Sequence, residues 1–237
     1  MTGQQRGLVS LTELERSSVV ANNTMNRERG LAGVNSYARE LGVDPLAWLS
    51  DRSPGARSWL DLCSGEGRAL REAASALPPD AVLTGVDLVG PLVPLPTPPA
   101  MEEITASVST WAPTRPYDLI TCVHGLHYVG DQLGLLTRAA SWLTEDGLLL
   151  AHFDPESIRW ADGGGTAGRA VVAELRATGF AYDSRRHLLT LQGARLTTAT
   201  TALPFTYMGA DPTAGPNYTG QPAVGSHYSR TITDTAE

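Results

Sequence analysis

Ser58–Gly67 reads S-W-L-D-L-C-S-G-E-G, and Arg68–Ala76 follows as R-A-L-R-E-A-A-S-A. Trp59, Leu60 and Leu62 form the apolar run of a buried parallel strand, with Asp61 set inside it. Gly65 and Gly67 come two residues apart, and the segment after them is rich in helix formers. The order is strand, tight glycine turn, helix. Glycine tolerates a positive φ there and lets a ligand approach the backbone. The new helix offers unpaired N–H groups and a partial positive charge beside that ligand.

Val82–Asp87 (V-L-T-G-V-D) is a second strand that ends in an acid, 20 residues after Gly67. A carboxylate at that spacing can accept hydrogen bonds from both hydroxyls of a ribose. The dinucleotide fingerprint asks for a third glycine at position 70, where this chain has Leu70. That departure argues against a nicotinamide cofactor.

At these residues the chain resembles the class I S-adenosylmethionine-dependent methyltransferases of the small-molecule or natural-product type. The family's acidic strand end and alternating glycines correspond to Asp61-Leu62-Cys63-Ser64-Gly65-Glu66-Gly67, with Cys63 where the family has its first glycine. The resemblance implies an α/β fold, Rossmann-like and doubly wound, with a mostly parallel seven-stranded sheet whose last strand is antiparallel. It also implies an N-terminal helical lid and S-adenosyl-L-methionine as cofactor. The resemblance sets Asp61 and Cys122 near the methionine ammonium. Cys63, Gly65 and Gly67 fall in the turn, Asp87 and Leu88 at the ribose, and Ser107 and Val108 at the adenine. Ser107 stands where the family has an acid, and its hydroxyl can still accept from an amine.

The expected organisation is a helical cap over residues 1–50, a cofactor-binding core over 51–208 and a turn-rich tail over 209–237. Asp44-Pro45 reads as a helix start, with Asp as N-cap and Pro at the first position. Ala21–Arg29 (A-N-N-T-M-N-R-E-R) crowds asparagines and arginines together. It reads as a solvated helix end or loop, or as a segment closing over substrate or over the cofactor's carboxylate through Arg27. Tyr37 could also reach inward to substrate. Five prolines between Val89 and Ala100 forbid a normal helix there. A third strand is expected over Ile104–Trp111, a fourth over Tyr117–Val123 and a fifth over Leu148–Asp154. Asp131 should cap the intervening helix. Two closing β segments are expected at Phe180–Leu191 and Arg195–Met208.

The chain has 237 residues, is 42% hydrophobic and carries a net charge of −7. Such an acidic surface argues against nucleic acid as a partner. All 18 basic residues are arginine, so lysine Schiff-base chemistry is excluded. Cys63 and Cys122 read as reduced, buried residues. With no long apolar run, a cytoplasmic protein without a membrane partner is expected, as monomer or homodimer.

Strand C-terminal ends gather ligands in open α/β sheets. That rule brings His124, His127 and His152 to the cofactor's rim. His124 and His127 are the candidates for a general base, and His152 for a substrate contact. No histidine pair has a metal motif's spacing, so no metal is expected. The implied reaction is methyl transfer to an O or N of a small molecule or small peptide, in specialised metabolism. The alternatives are a cyclase-like enzyme that keeps the methyl, and a non-catalytic cofactor-binding module.

Overall fold

A computed structural model describes residues 7–21, 29–53, 55, 57–91, 96–193 and 203–231. Four short helices come first: α1 (Leu11–Glu15), α2 (Ser18–Ala21), α3 (Tyr37–Leu41) and α4 (Pro45–Ser50). Their starts are set by local chemistry. Ser10 and Glu13 form a reciprocal capping box on α1. Asp44 accepts from the N–H groups of Leu46 and Ala47 at the start of α4, with Pro45 in the first turn. Arg27 lies outside the described residues.

The central elements follow: β1 (Ser58–Leu62), α5 (Arg68–Ala76), β2 (Val82–Asp87), β3 (Met101–Thr105), β4 (Tyr117–Cys122), α6 (Gln132–Ser141) and β5 (Leu143–His152). Next come β6 (Ile158–Trp160), α7 (Gly168–Ala177), β7 (Ala181–Asp183), β8 (Leu188–Gln192), β9 (Phe205–Pro216) and β10 (Pro222–Arg230). One sheet has seven strands in the order β3-β2-β1-β4-β5-β8-β7. Strands β1 to β5 pair in parallel, and β8 runs antiparallel to both neighbours. The fold is thus the expected Rossmann-like one. β1 is buried on both faces: Leu60 and Leu62 pack into one apolar layer, Trp59 into the other. The direction of winding reverses between β1 and β4, and such a switch point opens a crevice at the strands' carboxyl ends. Among the described residues, no helix is long and apolar enough to cross a membrane.

Four segments depart from the sequence reading. The fifth strand is Leu143–His152, not Leu148–Asp154, and runs through Glu145-Asp146-Gly147. The third strand is Met101–Thr105, not Ile104–Trp111. It ends because Ser107 begins a turn: its hydroxyl accepts the Ser109 N–H and its carbonyl accepts those of Thr110 and Trp111. Among the described residues the two closing strands of the sheet both fall within 181–192, and most of the expected Arg195–Met208 lies outside the described residues. Asp183 makes the turn between them by accepting from the N–H groups of Arg185 and Arg186, and His187 completes it with a φ of 50°. The expected turn-rich tail is instead the strand pair β9–β10.

That pair joins β6 in a second sheet, ordered β6-β10-β9. Tyr228 anchors it to the start of α6, donating to Asp131 Oδ1 at 2.9 Å and accepting the Leu133 N–H at 3.0 Å. Leu14, Ala210 and Val224 form a small buried cluster, with Val9, Val19, Val20 and Tyr207 against it. The Val9 N–H donates to the Ala210 carbonyl at 2.9 Å. The N-terminal helices and the C-terminal hairpin are therefore packed together.

Candidate functional site

A cleft opens where β1, β2 and β4 end, with α1 and α2 along its other side. Its walls include Cys63, Gly65, Asp87, Leu88, Ser107, Val108, His124 and Gly125, together with Leu14, Glu15 and Val20. The empty space, counted out to open solvent, is about 770 Å³.

The glycine turn forms the floor. Gly65 and Gly67 have φ values of 61° and 65°. Cys63 takes the same left-handed region at 59°, as does His124 on the facing loop at 57°. For residues with a Cβ this region costs about 1–2 kcal/mol, and such strain gathers at functional sites. Gly125 keeps the two loops close: a Cβ there would meet Cys63 Cβ at 2.4 Å and Cys122 Sγ at 2.9 Å. Asp87 ties the turn to β2, because its carboxylate accepts the Gly65 N–H at 2.9 Å and the Val89 N–H at 3.0 Å.

Asp61 lies behind this wall rather than on it. It is buried, and its two oxygens accept from the Tyr37 and Thr121 hydroxyls, each at 2.6 Å. Burial pushes its pKa up to about 7, against the pull of those two hydrogen bonds. Tyr37, expected at the substrate, is a buried ring set edge-on to Trp59 at 5.7 Å, with its hydroxyl on Asp61. Gly67 and Cys122 also lie outside the cleft lining. Gly67 caps α5, and Cys122 is buried beneath the floor.

Past His124 the cleft wall passes into a histidine-rich cluster. His124 Nε2 lies 3.1 Å from Glu40 Oε2, and its Nδ1 lies 3.3 Å from the Tyr218 hydroxyl. Its ring stacks on His152, with centroids 4.1 Å apart and planes 6° from parallel. Tyr218 stacks in turn on His187 at 3.8 Å. Arg29 pairs with the other Glu40 oxygen at 2.6 Å. The hydrogen bond from His124 holds the Glu40 carboxyl down at about 2. His127 and His152 are both buried, and burial pulls each ring down to about 3, so both are neutral at physiological pH. Neither nitrogen of His127 has a hydrogen-bond partner among the described residues. The ring is therefore a poor base.

Glu40, His124 and His152 bring three donor atoms within 4.8 Å of one another. The stack sets them against one ion, because no single point lies in both of two parallel ring planes. The guanidinium on Glu40 adds a positive charge beside the same spot. The arrangement suits proton handling better.

Of the residues expected at the site, Cys63, Gly65, Asp87, Leu88, Ser107, Val108 and His124 line the cleft. Glu15, Glu40 and Tyr218 were missed. Glu15 accepts a hydrogen bond from Ser107 and so brings a carboxylate to the place where β3 supplies none. Nothing local marks Glu40 or Tyr218, which are 84 and 94 residues from His124 in sequence.

A family model described as a methyltransferase domain matches residues 34–188. No curated protein matches the chain in sequence. An amino pentose methyltransferase from Micromonospora echinaspora, solved with S-adenosylmethionine bound, is 18% identical over 49% of this chain and 50% of its own, with a TM-score of 0.37. A sugar N-methyltransferase from Streptoalloteichus is 23% identical over 50% of this chain and 53% of its own, at 0.35. The chain thus spans about half the length of these two. An N-methyltransferase from Bradyrhizobium japonicum, solved with S-adenosylhomocysteine, is 14% identical over 77% of this chain and 97% of its own, at 0.42.

Proposed function

Because the chain belongs to the methyltransferase domain family, we propose that it moves a methyl group from S-adenosylmethionine to an oxygen or nitrogen of a small-molecule or small-peptide acceptor. The observation that carries this reading is the cleft at the switch point, floored by the glycine turn and flanked by Asp87. Each Asp87 oxygen already accepts one backbone N–H, which fixes the carboxylate in place. The ribose hydroxyls would donate to this same carboxylate. The adenine lies toward Ser107 and Val108, where Glu15 supplies the acceptor for its amino group. The methionine end lies along Cys63, Gly65 and Gly125. Asp61 shapes this end indirectly, by holding β1, β4 and α3 together through Thr121 and Tyr37.

Methyl transfer is an in-line displacement at a sulfonium carbon, with a neutral thioether as the leaving group. Alignment of the acceptor supplies much of the acceleration, up to about 7–11 kcal/mol in favourable systems. His124 sits on the cleft wall with an ionised glutamate behind it, which suits it to take the acceptor's proton. Such a base adds about 10²–10⁴-fold. The acceptor class follows from the acidic net charge and a cleft bounded by the fold's own helices. Specialised metabolism is the setting we assign to it.

Titration calorimetry with S-adenosylhomocysteine tests the cofactor, and mass spectrometry of acceptors incubated with S-adenosylmethionine tests the transfer. Micromolar binding and a product heavier by one CH₂ are expected. No binding of either nucleoside defeats the proposal. Binding with the methyl retained points to the cyclase-like alternative.

A further inference from the structure

We propose that Tyr218, carried in by the C-terminal hairpin, relays the acceptor's proton to His124. This rests on the methyl-transfer reading and adds to it a catalytic residue from outside the family-matched region, which ends at 188.

The argument begins with His124, a buried ring whose two nitrogens both face partners within the fold. The ionised carboxylate of Glu40 can only accept, so Nε2 carries the hydrogen and donates. Nδ1 is then the basic nitrogen, and the Tyr218 hydroxyl at 3.3 Å must be its donor. Burial raises the phenol's pKa, which keeps that proton on oxygen in the resting enzyme. The separation is long for an O–H···N bond, as catalytic hydrogen bonds often are before substrate binds.

Tyr218 is also the exposed member of the chain of groups. It is 37% accessible, while His124 is 5%. Through its hydrogen bond to the phenol oxygen, Nδ1 is joined to the more exposed residue of the pair. The ring is held on several sides. It stacks on His187 at 3.8 Å and 7°, and meets His127 edge-on at 5.3 Å. The Tyr218 N–H donates to Asp154 Oδ2 at 3.2 Å. A side chain pinned this way is built to stay rather than to leave when the acceptor enters.

The step balances within these groups. The acceptor's O–H or N–H proton passes to the Tyr218 oxygen as the Tyr218 proton passes to His124 Nδ1. The acceptor's freed lone pair forms the new bond to the methyl carbon while the carbon–sulfur bond breaks. The sulfonium becomes a neutral thioether. The imidazolium left on His124 is stabilised by Glu40.

The test is Tyr218→Phe in the full chain, which keeps the stack on His187 and removes only the hydroxyl. Unchanged S-adenosylhomocysteine affinity and melting temperature show that cofactor site and fold survive. Loss of binding by the native protein is a failure of the methyl-transfer reading instead. Nitrogen-15 spectra of the imidazoles need no acceptor. The His124 Nδ1 signal should move to the position of a free pyridine-type nitrogen in the variant, with Nε2–H retained. With a catechol and amino-sugar panel as probe acceptors, kcat should fall about 10²-fold or more at unchanged KM, the range expected when acid–base catalysis is lost. Isosteric 3-fluorotyrosine at position 218 keeps the hydroxyl and should restore most of that kcat; if Tyr218→Phe unfolds, the lower pKa of the fluorinated phenol should move the pH profile of kcat to lower pH, and an unmoved profile overturns the relay. An unmoved Nδ1 signal, an undiminished kcat, or a loss confined to KM overturns the relay.

Discussion

Replacing His127 with leucine isolates the energetic consequence of burying an unpartnered imidazole. The ring is fully buried, and neither nitrogen has a hydrogen-bond partner among the described residues. Its pKa is pulled down to about 3, first by desolvation and then by the neighbouring His124 and His187. In the unfolded chain it returns to about 6.5. The unfolded state therefore takes up the proton first as the solution is acidified. Stability from this residue is complete above about 6.5 and is lost progressively below it, levelling only near 3. One pH unit is worth about 1.4 kcal/mol, so by pH 5 the loss is about 2 kcal/mol. His152 acts in the same direction. Asp61 acts in the opposite one: its folded pKa is raised to about 7, so its contribution is complete below about 4 and is lost as pH rises toward 7. The native curve alone thus mixes opposing slopes. The difference between native protein and His127→Leu cancels the shared groups. Urea unfolding at pH 8 and pH 5 should show a variant at least as stable as the native protein at pH 8. It should be more stable by about a further 2 kcal/mol at pH 5. A difference that does not change with pH, or a variant clearly weaker at pH 8, refutes the reasoning and shows that the imidazole has partners.

Other perturbations follow from the cleft's geometry. Asp87→Asn removes the charge that accepts from Gly65 and is placed for the ribose; S-adenosylhomocysteine should bind at least about tenfold more weakly by calorimetry, a charged hydrogen bond being worth about 1.5–3 kcal/mol. Unchanged affinity would remove the ribose assignment. Gly125→Ala drives a methyl to 2.4 Å from Cys63 Cβ and should lower stability by about 1–3 kcal/mol in thermal unfolding. Adding Cys63→Gly should recover much of that loss, since the closest clashing atoms are its own; an additive double mutant argues against the contact. Glu15→Gln should weaken S-adenosylhomocysteine but leave its inosine analogue, which lacks the amino group, unaffected. Equal losses for both ligands would detach Glu15 from the adenine.

The sheet was legible because its signals are local. β1 carries its apolar run and glycine turn within ten residues, and β2 ends in the acid at the expected distance. Even the missing third glycine has a structural counterpart. Leu70 packs against β2 at Gly85, where an added Cβ would lie 2.9 Å from the Leu70 side chain. The close approach of helix and strand is thus kept by a glycine on the other partner. The misplaced strands have equally local causes that composition does not display. The break at 184–187 contains neither glycine nor proline and depends on the Asp183 carboxylate and the positive φ of His187.

The histidine cluster resisted reading for a different reason. His124 and His152 are legible as strand-end residues, but their chemistry is set by groups brought from both ends of the chain. Glu40 arrives on α3, and Tyr218 arrives at the tip of a hairpin whose turn is closed by Asn217, Gly220 and Gln221 and whose Gly215-Pro216-Asn217 reads in sequence as a tail. That hairpin is held by contacts with no sequence periodicity: Tyr228 on the start of α6, and Val224 against Leu14. Tertiary packing therefore decides which nitrogen of His124 is basic and which direction its proton comes from. A glutamine at position 40 would make this visible. It keeps the shape but not the charge, so Nε2–H and Nδ1–H forms should both appear in the His124 nitrogen spectrum. A single Nε2–H form in Glu40→Gln would mean that Tyr218 alone sets the tautomer.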